Sequence, residues 1–238
     1  MPETVDPQVE ALQEQIAYYR ARAGEYDQWF LRLGRYNRGE EHLQQWISEV
    51  QQVVNELESF QPLGEVLEFA GGTGLWTEWL AKLGNRVLVV DAAPEMIEQN
   101  RLRTGDLPVT YQLHDIFSFR PDRQYDFVFF GFWLSHVPSK LFSSFWALVR
   151  DCLKPEGRFF FIDSIKEPQS TAVDHVLHLE DDKETLIRRL NDGREFQIYK
   201  LFYHAEELQS KLEAEGFKAD VKETPTFFLY GSGHLAGR

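Results

Sequence analysis

The chain has 238 residues, of which 43% are hydrophobic, a composition that suits one domain with a sizeable core. Its 25 Lys and Arg against 38 Asp and Glu give a formal net charge of -13, and so acidic a surface argues against a nucleic-acid partner. With Cys152 as its one cysteine the chain cannot form an internal disulfide, and its longest strongly apolar stretch, residues 127–134, is far shorter than the roughly 20 residues that span a bilayer.

The sequence contains no mark of a boundary between domains. No Gly-Ser linker, low-complexity tract or internal repeat marks a boundary, so we predict a single domain, 1–238. It has three parts: a helical segment over 1–60, a central part over 64–163 and a final part over 164–238. The start, Met1 to Thr4, shows neither the basic residues nor the apolar run of a signal peptide, which predicts a cytoplasmic protein with no membrane association.

The predicted elements alternate in type along the chain. Apolar positions at helical spacing from Glu40 predict a long amphipathic helix that ends near Pro62. Strands are then predicted over 65–70, 86–91, 109–113, 125–131 and 158–163, with helices over 75–83, 94–103 and 138–153. This alternation predicts an α/β fold with a doubly wound, mostly parallel sheet. A charged stretch that includes 180–183 is expected to be loop or exposed helix.

The end of the chain is predicted to complete a seven-stranded sheet. After a helix over 205–215, two strand-like runs cover 217–222 and 226–230. They are too close for a helical crossover, so we expect an antiparallel hairpin.

The first predicted strand runs directly into a small-residue loop, Ala70-Gly71-Gly72-Thr73-Gly74, and then into a helix. Glycines let a ligand approach the backbone, and the helix N-terminus offers free N–H groups, so this is a candidate ligand loop rather than a simple turn. A dinucleotide fingerprint aligned on the last two glycines fails at Thr77, where its third glycine belongs. The loop also lacks the Lys-Ser/Thr ending of a P-loop.

This loop resembles the first motif of the class I S-adenosylmethionine-dependent methyltransferases of the small-molecule type, carried here by Glu68, Ala70, Gly72 and Gly74. The resemblance implies a Rossmann-like fold, S-adenosylmethionine as cofactor and S-adenosylhomocysteine as product, and it makes these four residues cofactor-binding candidates. Ala70 stands where the family most often has glycine. Alanine is small, so only a positive φ would exclude it.

Two further strand ends extend the resemblance. Asp91 ends an apolar strand, and the family assigns such a carboxylate to the two ribose hydroxyls, beside Ala92, while Met96 would pack on the adenine. Asp115 and Ile116 follow the third strand, where the family places an acidic side chain on the adenine amino group and a backbone N–H on the ring. A structural role is the alternative for each of the three: Asp91 as a helix cap, Met96 as a core residue and Asp115 as a turn residue.

The exit of the fourth strand is expected to border the reacting methyl group, since ligands gather at the carboxyl ends of the strands. Phe132 is there a candidate cofactor contact, and His136 is a candidate general base that removes or shields a proton. A histidine hydrogen-bonded to backbone for structural reasons is the alternative. His175 and His178 could share a helix face, but they lack a carboxylate ligand pattern, and we predict no metal site.

The segment before the core resembles the lid of many small-molecule methyltransferases, which implies cofactor contacts for Tyr19, Arg22 and Tyr26. Aromatic faces stabilise a sulfonium cation, and an arginine can hold the cofactor carboxylate. A helix that merely covers the sheet edge is the alternative. A group of arginines in this segment could bind a carboxylate or phosphate on the substrate, or simply form a solvated face: Arg20, Arg22, Arg32, Arg35 and Arg38.

We therefore predict a methyltransferase that acts on an O or N atom of a small molecule. The alternatives are a C-methyltransferase with an apolar or prenyl-like acceptor and a protein that binds S-adenosylmethionine without catalysis. A nicotinamide oxidoreductase is disfavoured because Thr77 stands where the dinucleotide fingerprint has its third glycine. The acceptor's identity and the oligomeric state are not predicted.

Overall fold

The computed structural model describes residues 7–172 and 184–237. The predicted loop or helix at 180–183, together with His175 and His178, lies outside these residues. Within the two described ranges, no helix is both long enough and apolar enough to cross a membrane.

Three helices precede the sheet: α1 (Pro7–Arg22), α2 (Tyr26–Phe30) and α3 (Glu40–Glu58). The central part comprises β1 (Glu65–Phe69), α4 (Thr77–Leu83), β2 (Arg86–Asp91), α5 (Pro94–Thr104), β3 (Val109–Leu113), β4 (Tyr125–Gly131), α6 (Phe142–Cys152) and β5 (Leu153–Ser164). Then follow β6 (Thr185–Arg189), β7 (Glu195–Tyr199), α7 (Ala205–Ala214), β8 (Phe217–Glu223) and β9 (Phe228–Leu235). Short 3₁₀ turns include Ile116–Ser118, Leu134–His136 and Pro168–Ser170.

The main sheet has seven strands in the order β3-β2-β1-β4-β5-β9-β8. Neighbouring strands from β3 to β5 are parallel, and β9 runs antiparallel to both β5 and β8. The predicted doubly wound sheet and terminal hairpin are thus confirmed. Because the strand order reverses between β1 and β4, a crevice opens at the carboxyl ends of these two strands, which is where such sheets bind ligands.

Alternating phenylalanines on β4 and β5 form the centre of the core on both faces of the sheet. Phe129 pairs in register with Phe160, and Phe130 pairs with Phe161. The rings of each pair are stacked, with centroids 6.2 and 5.7 Å apart, and all four side chains are fully buried. Successive side chains of a strand point to opposite faces, so both faces must be covered by helices. This packing fixes the positions of the strand ends around the crevice.

A two-stranded ribbon formed by β6 and β7 is an addition that the sequence analysis did not predict. It lies against α1. Gln15 Oε1 accepts a hydrogen bond from the Tyr199 N–H at 3.0 Å, and Glu14 Oε1 accepts one from the Gln197 N–H at 2.7 Å. The Tyr18 and Phe196 rings also meet, with centroids 5.7 Å apart. The ribbon therefore joins the N-terminal helix to the region beyond β5.

Candidate functional site

A cavity lies at the carboxyl ends of β1, β2 and β4 and encloses about 720 Å³ of space not filled by atoms, part of it open to solvent. Most of the predicted cofactor residues line it: Tyr19, Tyr26, Ala70, Gly72, Asp91, Ala92, Met96, Asp115, Ile116 and Phe132. We call this space the first cavity. Of the remaining candidates, Glu68 lies behind the loop, Gly74 packs against Asn100 and Arg22 lines a neighbouring cavity.

The small-residue loop turns through left-handed backbone at Ala70, Gly72 and Gly74, with φ of 52, 52 and 89°. Ala70 thus has the positive φ that disfavours alanine, and an L-residue in this conformation costs roughly 1–2 kcal/mol. Such strain is concentrated at ligand sites. Gly74 has a packing role: a Cβ there would lie 2.8 Å from Asn100 Oδ1 on α5.

Glu68 supports the loop from behind. Its carboxyl group is buried and accepts a hydrogen bond from the Thr77 hydroxyl at 2.6 Å, while Asn100 donates to the same hydroxyl at 2.7 Å. Burial raises the pKa of Glu68 to about 8. Thr77, the residue that breaks the dinucleotide fingerprint, is therefore the partner that holds this acidic side chain in place.

Asp91 presents a buried carboxylate to the first cavity. Its Oδ2 accepts a hydrogen bond from the Gly72 N–H at 3.0 Å, and its Oδ1 accepts one from the Ala93 N–H at 2.8 Å. Burial raises the pKa of Asp91, and these backbone bonds oppose the rise. Each oxygen has further lone-pair capacity. With apolar walls at Met96 and Ile116, the arrangement suits a ligand that has two hydroxyls near a flat apolar group.

Asp115 has the predicted role in a turn and also faces the first cavity. Its Oδ1 accepts a hydrogen bond from the Phe117 N–H at 3.0 Å, which caps the 3₁₀ turn, and the residue also lines the first cavity. Phe117 and Trp133, whose rings lie 5.5 Å apart, form the adjoining wall.

His136 lines the first cavity and is 5% exposed. Its Nδ1 is 2.6 Å from the Tyr199 carbonyl oxygen and its Nε2 is 2.7 Å from the Tyr19 hydroxyl. A carbonyl only accepts, so Nδ1 carries the proton and Nε2 accepts from Tyr19. Burial, with the nearby Lys200 charge, lowers the pKa of His136 to about 3, so the imidazole is neutral at physiological pH.

A second cavity adjoins the first and encloses about 580 Å³ of space not filled by atoms, part of it open to solvent. The two share Tyr19, Tyr26, Phe132 and His136, a group we call the junction.

Arg22 lines the second cavity and not the first, and its contact with the cofactor stays a prediction. Its guanidinium group lies over the faces of Tyr18 and Tyr26, 5.4 and 4.9 Å from their ring centroids.

The other arginines of the predicted basic group have surface or structural partners. Arg20 forms an ion pair with Glu95 at 2.9 Å. Arg32 donates to the carbonyl oxygens of Gln169 and Ser170 at 2.8 and 3.0 Å, and so fixes the 3₁₀ turn after β5. Arg35 and Arg38 donate to carbonyl oxygens on exposed surfaces.

Several cavity residues were not predicted from the sequence. Leu12, Gln15 and Ile16 line the first cavity from α1 together with Tyr19. Their spacing places all four on one helix face, so the 3.6-residue period counted back from Tyr19 is a signal that could have identified them. Ala93, Phe117, Gly131 and Trp133, which also line it, are neighbours of predicted residues.

Comparison with known proteins gives matches over the core and over the whole chain. Residues 66–157 match the family model described as a methyltransferase domain. The ubiquinone biosynthesis O-methyltransferase of Xanthomonas campestris pv. campestris (strain B100) is 30% identical over 119 residues, which are 47% of this chain and 48% of that protein. The chain thus spans about half the length of the curated relatives it matches first.

Solved structures extend the similarity to nearly the full chain. The complex of DhpI with S-adenosylhomocysteine is 34% identical, covers 96% of this chain and 98% of that one, and has a TM-score of 0.78. The complex of DhpI with S-adenosylmethionine and HEP gives 34% identity, 97% and 100% coverage and a TM-score of 0.80. A Burkholderia thailandensis 1,6-didemethyltoxoflavin-N1-methyltransferase, at 16% identity over 100% of this chain and 94% of that one, supports the fold alone, with a TM-score of 0.63.

Proposed function

Because this chain belongs to the class I S-adenosylmethionine-dependent methyltransferases, we propose that it transfers a methyl group to an O or N atom of a small molecule. The observation that carries the proposal is the junction, where a cavity suited to the cofactor meets a second, polar cavity. The complex of DhpI with both S-adenosylmethionine and HEP supports a site for two ligands.

The residues of the first cavity fit S-adenosylmethionine. The Asp91 carboxylate is placed to accept the ribose hydroxyls, Met96 and Ile116 offer apolar surface to the adenine, and Asp115 borders the same wall. Gly72 has open space around the position of a Cβ, with Ala70 O at 3.9 Å as its nearest contact, which leaves room for a ligand against the backbone. When bound, S-adenosylmethionine supplies a methyl group on a positively charged sulfur.

The junction residues provide the environment that methyl transfer requires. Tyr19, Tyr26 and Phe132 present aromatic side chains, which stabilise a nearby cation and exclude water. A hydroxyl acceptor must lose a proton as the new bond forms, and His136 Nε2 with the Tyr19 hydroxyl forms the accepting pair. Because the pKa of His136 is about 3, it accepts a proton only from an acidic group, so we place the proton transfer late, after the methyl has begun to bond.

The second cavity favours a polar acceptor over the apolar or prenyl-like alternative. Its wall includes the side chains of Arg22, Arg188 and Lys200, and burying cationic groups against a hydrocarbon ligand would cost free energy. An O or N acceptor on a polar molecule suits this wall.

We further propose that the chain acts as one cytoplasmic domain on a small molecule rather than on nucleic acid. The net charge of -13 supports the exclusion of nucleic acid, and the absence of a linker supports a single domain.

The test is calorimetric titration of the protein with S-adenosylhomocysteine, with a nicotinamide dinucleotide in parallel. We expect micromolar binding of S-adenosylhomocysteine alone, and Asp91→Ala should weaken it by roughly 10- to 100-fold through loss of charge-assisted hydrogen bonds. Asp106→Ala, an exposed carboxylate in the turn after α5, is the matched control and should bind normally. Dinucleotide binding without S-adenosylhomocysteine binding would overturn the proposal.

A further inference from the structure

Three cavities meet at Tyr26 and Phe132. Besides the first and second cavities, these two residues line a third cavity, which lies along the small-residue loop and encloses about 300 Å³ of space not filled by atoms, part of it open to solvent. Ala70, Gly72 and Gly131 belong to the walls of both the first and the third cavity, so these two spaces adjoin along the loop. A ligand centred at Tyr26 and Phe132 can therefore extend in three directions.

This arrangement matches the branching of S-adenosylmethionine. Its sulfur carries three substituents: the adenosyl group, the methyl group and a chain that ends in an ammonium group and a carboxylate. In the proposed function the adenosyl group occupies the first cavity, and the acceptor that takes the methyl group lies in the second. The amino-acid chain then extends into the third cavity, the one of the three that remains.

The wall of the third cavity contains a buried hydrogen-bond donor. Trp76 immediately precedes α4, lines this cavity and is 6% exposed. Its indole Nε1 has no hydrogen-bond partner among the described residues. Because buried polar groups are nearly always paired, and an unpaired one lowers stability, this nitrogen calls for an acceptor. A ligand in the third cavity can supply it.

The packing of Trp76 places the N–H edge of its ring beside the end of β4. A Cβ on Gly131 would lie 3.3 Å from Nε1 and 3.0 Å from Cδ1, so any larger residue at 131 would cover this edge. The ring also packs against Phe129 and Phe30, with centroids 5.6 and 6.3 Å away. The N–H edge therefore lies against Gly131, a residue shared by the first and third cavities.

The chemistry of the donor selects one end of the amino-acid chain. An indole nitrogen only donates hydrogen bonds, and so does an ammonium group, whereas an ionised carboxylate only accepts them. Of the two charged groups on the chain, the carboxylate alone can therefore pair with Trp76. A hydrogen bond to an ionised acceptor is also roughly twice as strong as one between neutral groups.

We propose that Trp76 Nε1 donates a hydrogen bond to the carboxylate of S-adenosylmethionine, whose amino-acid chain occupies the third cavity. The proposal rests on the methyl-transfer function above and assigns a cofactor-binding residue that the sequence analysis did not identify. With the ribose held at Asp91 and the carboxylate at Trp76, the sulfur between them is fixed at Tyr26 and Phe132. Its methyl group then faces the second cavity.

The experiment compares two ligands by calorimetric titration of the full chain. One is S-adenosylhomocysteine, and the other is its decarboxylated analogue, which keeps the ammonium group and lacks the carboxylate. We expect Trp76→Phe to weaken S-adenosylhomocysteine binding by about tenfold or more, as for a lost hydrogen bond to a charged group, and to change the affinity for the analogue by less than about threefold.

Two further variants make the comparison specific. Trp79→Phe, at a 37% exposed position of α4, is the matched control and should bind both ligands as the unaltered protein does. Trp76→Leu also removes the donor and is measured in parallel, so that the test does not depend on a single variant folding.

The outcomes separate this proposal from the one on which it rests. It is overturned if the Trp76 variants, shown by thermal unfolding to be folded, bind S-adenosylhomocysteine normally or lose affinity for both ligands equally. It is also overturned if Arg22→Gln, rather than Trp76→Phe, removes the difference between the two affinities, because the carboxylate then lies in the second cavity. In each case binding of S-adenosylhomocysteine by the unaltered protein leaves the methyltransferase proposal standing. Failure of the unaltered protein to bind it would overturn that proposal, and this inference with it.

Discussion

The Tyr19 hydroxyl donates a hydrogen bond of 2.7 Å to His136 Nε2, and through it the N-terminal helix contacts the exit of β4 at the junction of the two cavities. The Tyr199 carbonyl oxygen, 2.6 Å from Nδ1, fixes the other side of the same ring. The imidazole is thus held in one tautomer by a residue before the core and a residue beyond β5. In the proposed reaction, Nε2 is therefore the ring nitrogen that accepts a proton.

We expect His136 to remain neutral, with its proton on Nδ1, between about pH 5 and 8. Burial is the main cause, and it lowers the pKa of this histidine to about 3. Nitrogen-15 NMR of the imidazole measures both the tautomer and the titration, and His136→Gln identifies the signal by its disappearance. A titration near 6.5, the ordinary value for histidine, would contradict this assignment.

Ala70→Gly is expected to stabilise the protein by up to about 1 kcal/mol. Ala70 has a φ of 52°, so glycine relieves left-handed strain of roughly 1–2 kcal/mol, and the greater freedom of glycine in the unfolded chain offsets part of the gain. Urea unfolding measures the difference. Ala81→Gly, in α4, is the control and should lose about 1 kcal/mol, since the same substitution in a helix has no strain to relieve. A lower free energy of unfolding in both variants would show that Ala70 is not strained.

Glu68→Gln is expected to change how stability depends on pH. Burial raises the pKa of Glu68 from 4.5 to about 8 in the folded protein, so between these values the folded state binds more protons than the unfolded state. The contribution of Glu68 to the free energy of unfolding therefore falls as pH rises through this window. Glutamine keeps an acceptor for Thr77 and does not titrate. The free energy of unfolding of the variant should therefore rise relative to that of the unaltered protein as pH increases towards 8.

Chemical unfolding at a series of pH values tests this expectation. Glu78→Gln, at an exposed position of α4, is the control. Its free energy of unfolding should depend on pH as that of the unaltered protein does. A constant offset between Glu68→Gln and the unaltered protein from pH 4.5 to 8 would mean that Glu68 ionises normally.

Gln15→Ala is expected to loosen α1 from the rest of the protein. The Gln15 side chain donates to the His136 carbonyl oxygen at 3.3 Å and accepts from the Tyr199 N–H at 3.0 Å, and its loss removes both of these buried hydrogen bonds. Hydrogen exchange of the α1 amides should accelerate, and S-adenosylhomocysteine should slow it again. Gln13→Ala, on the exposed face of the same helix, should exchange at the original rate. Equal rates in both variants would show that Gln15 does not anchor the helix.

The sheet and the first cavity could be predicted because their signals are local. Each parallel strand is a short apolar run between helical segments, and the cofactor candidates follow directly at the strand ends, as Asp91 follows β2. The β6–β7 ribbon lacks such a signal: its strands carry Arg188, Arg189 and Glu195, and only Asp192-Gly193, typical of a hairpin turn, marks it.

The direction of Arg22 could not be predicted for a different reason. Residues 19 and 22 are one turn apart on α1, and helical spacing alone places both near the cofactor. Arg22 turns to the second cavity because the faces of Tyr18 and Tyr26 receive its guanidinium group. The same guanidinium group donates a hydrogen bond to the hydroxyl of Tyr36, which lies on a separate 3₁₀ turn. Contacts of this kind depend on how distant segments pack.

Helix α1 forms part of the wall of both cavities, through Ile16 on one side, Arg22 on the other and Tyr19 between them. Displacing this helix opens both compartments at once, so the free energy of ordering it is shared by two ligands. Whichever binds first bears that cost, and the second then binds to a helix already in place. Thermodynamic reciprocity requires the enhancement to be equal in both directions, so the methyl donor and the acceptor are expected to bind cooperatively without contacting each other's recognition residues.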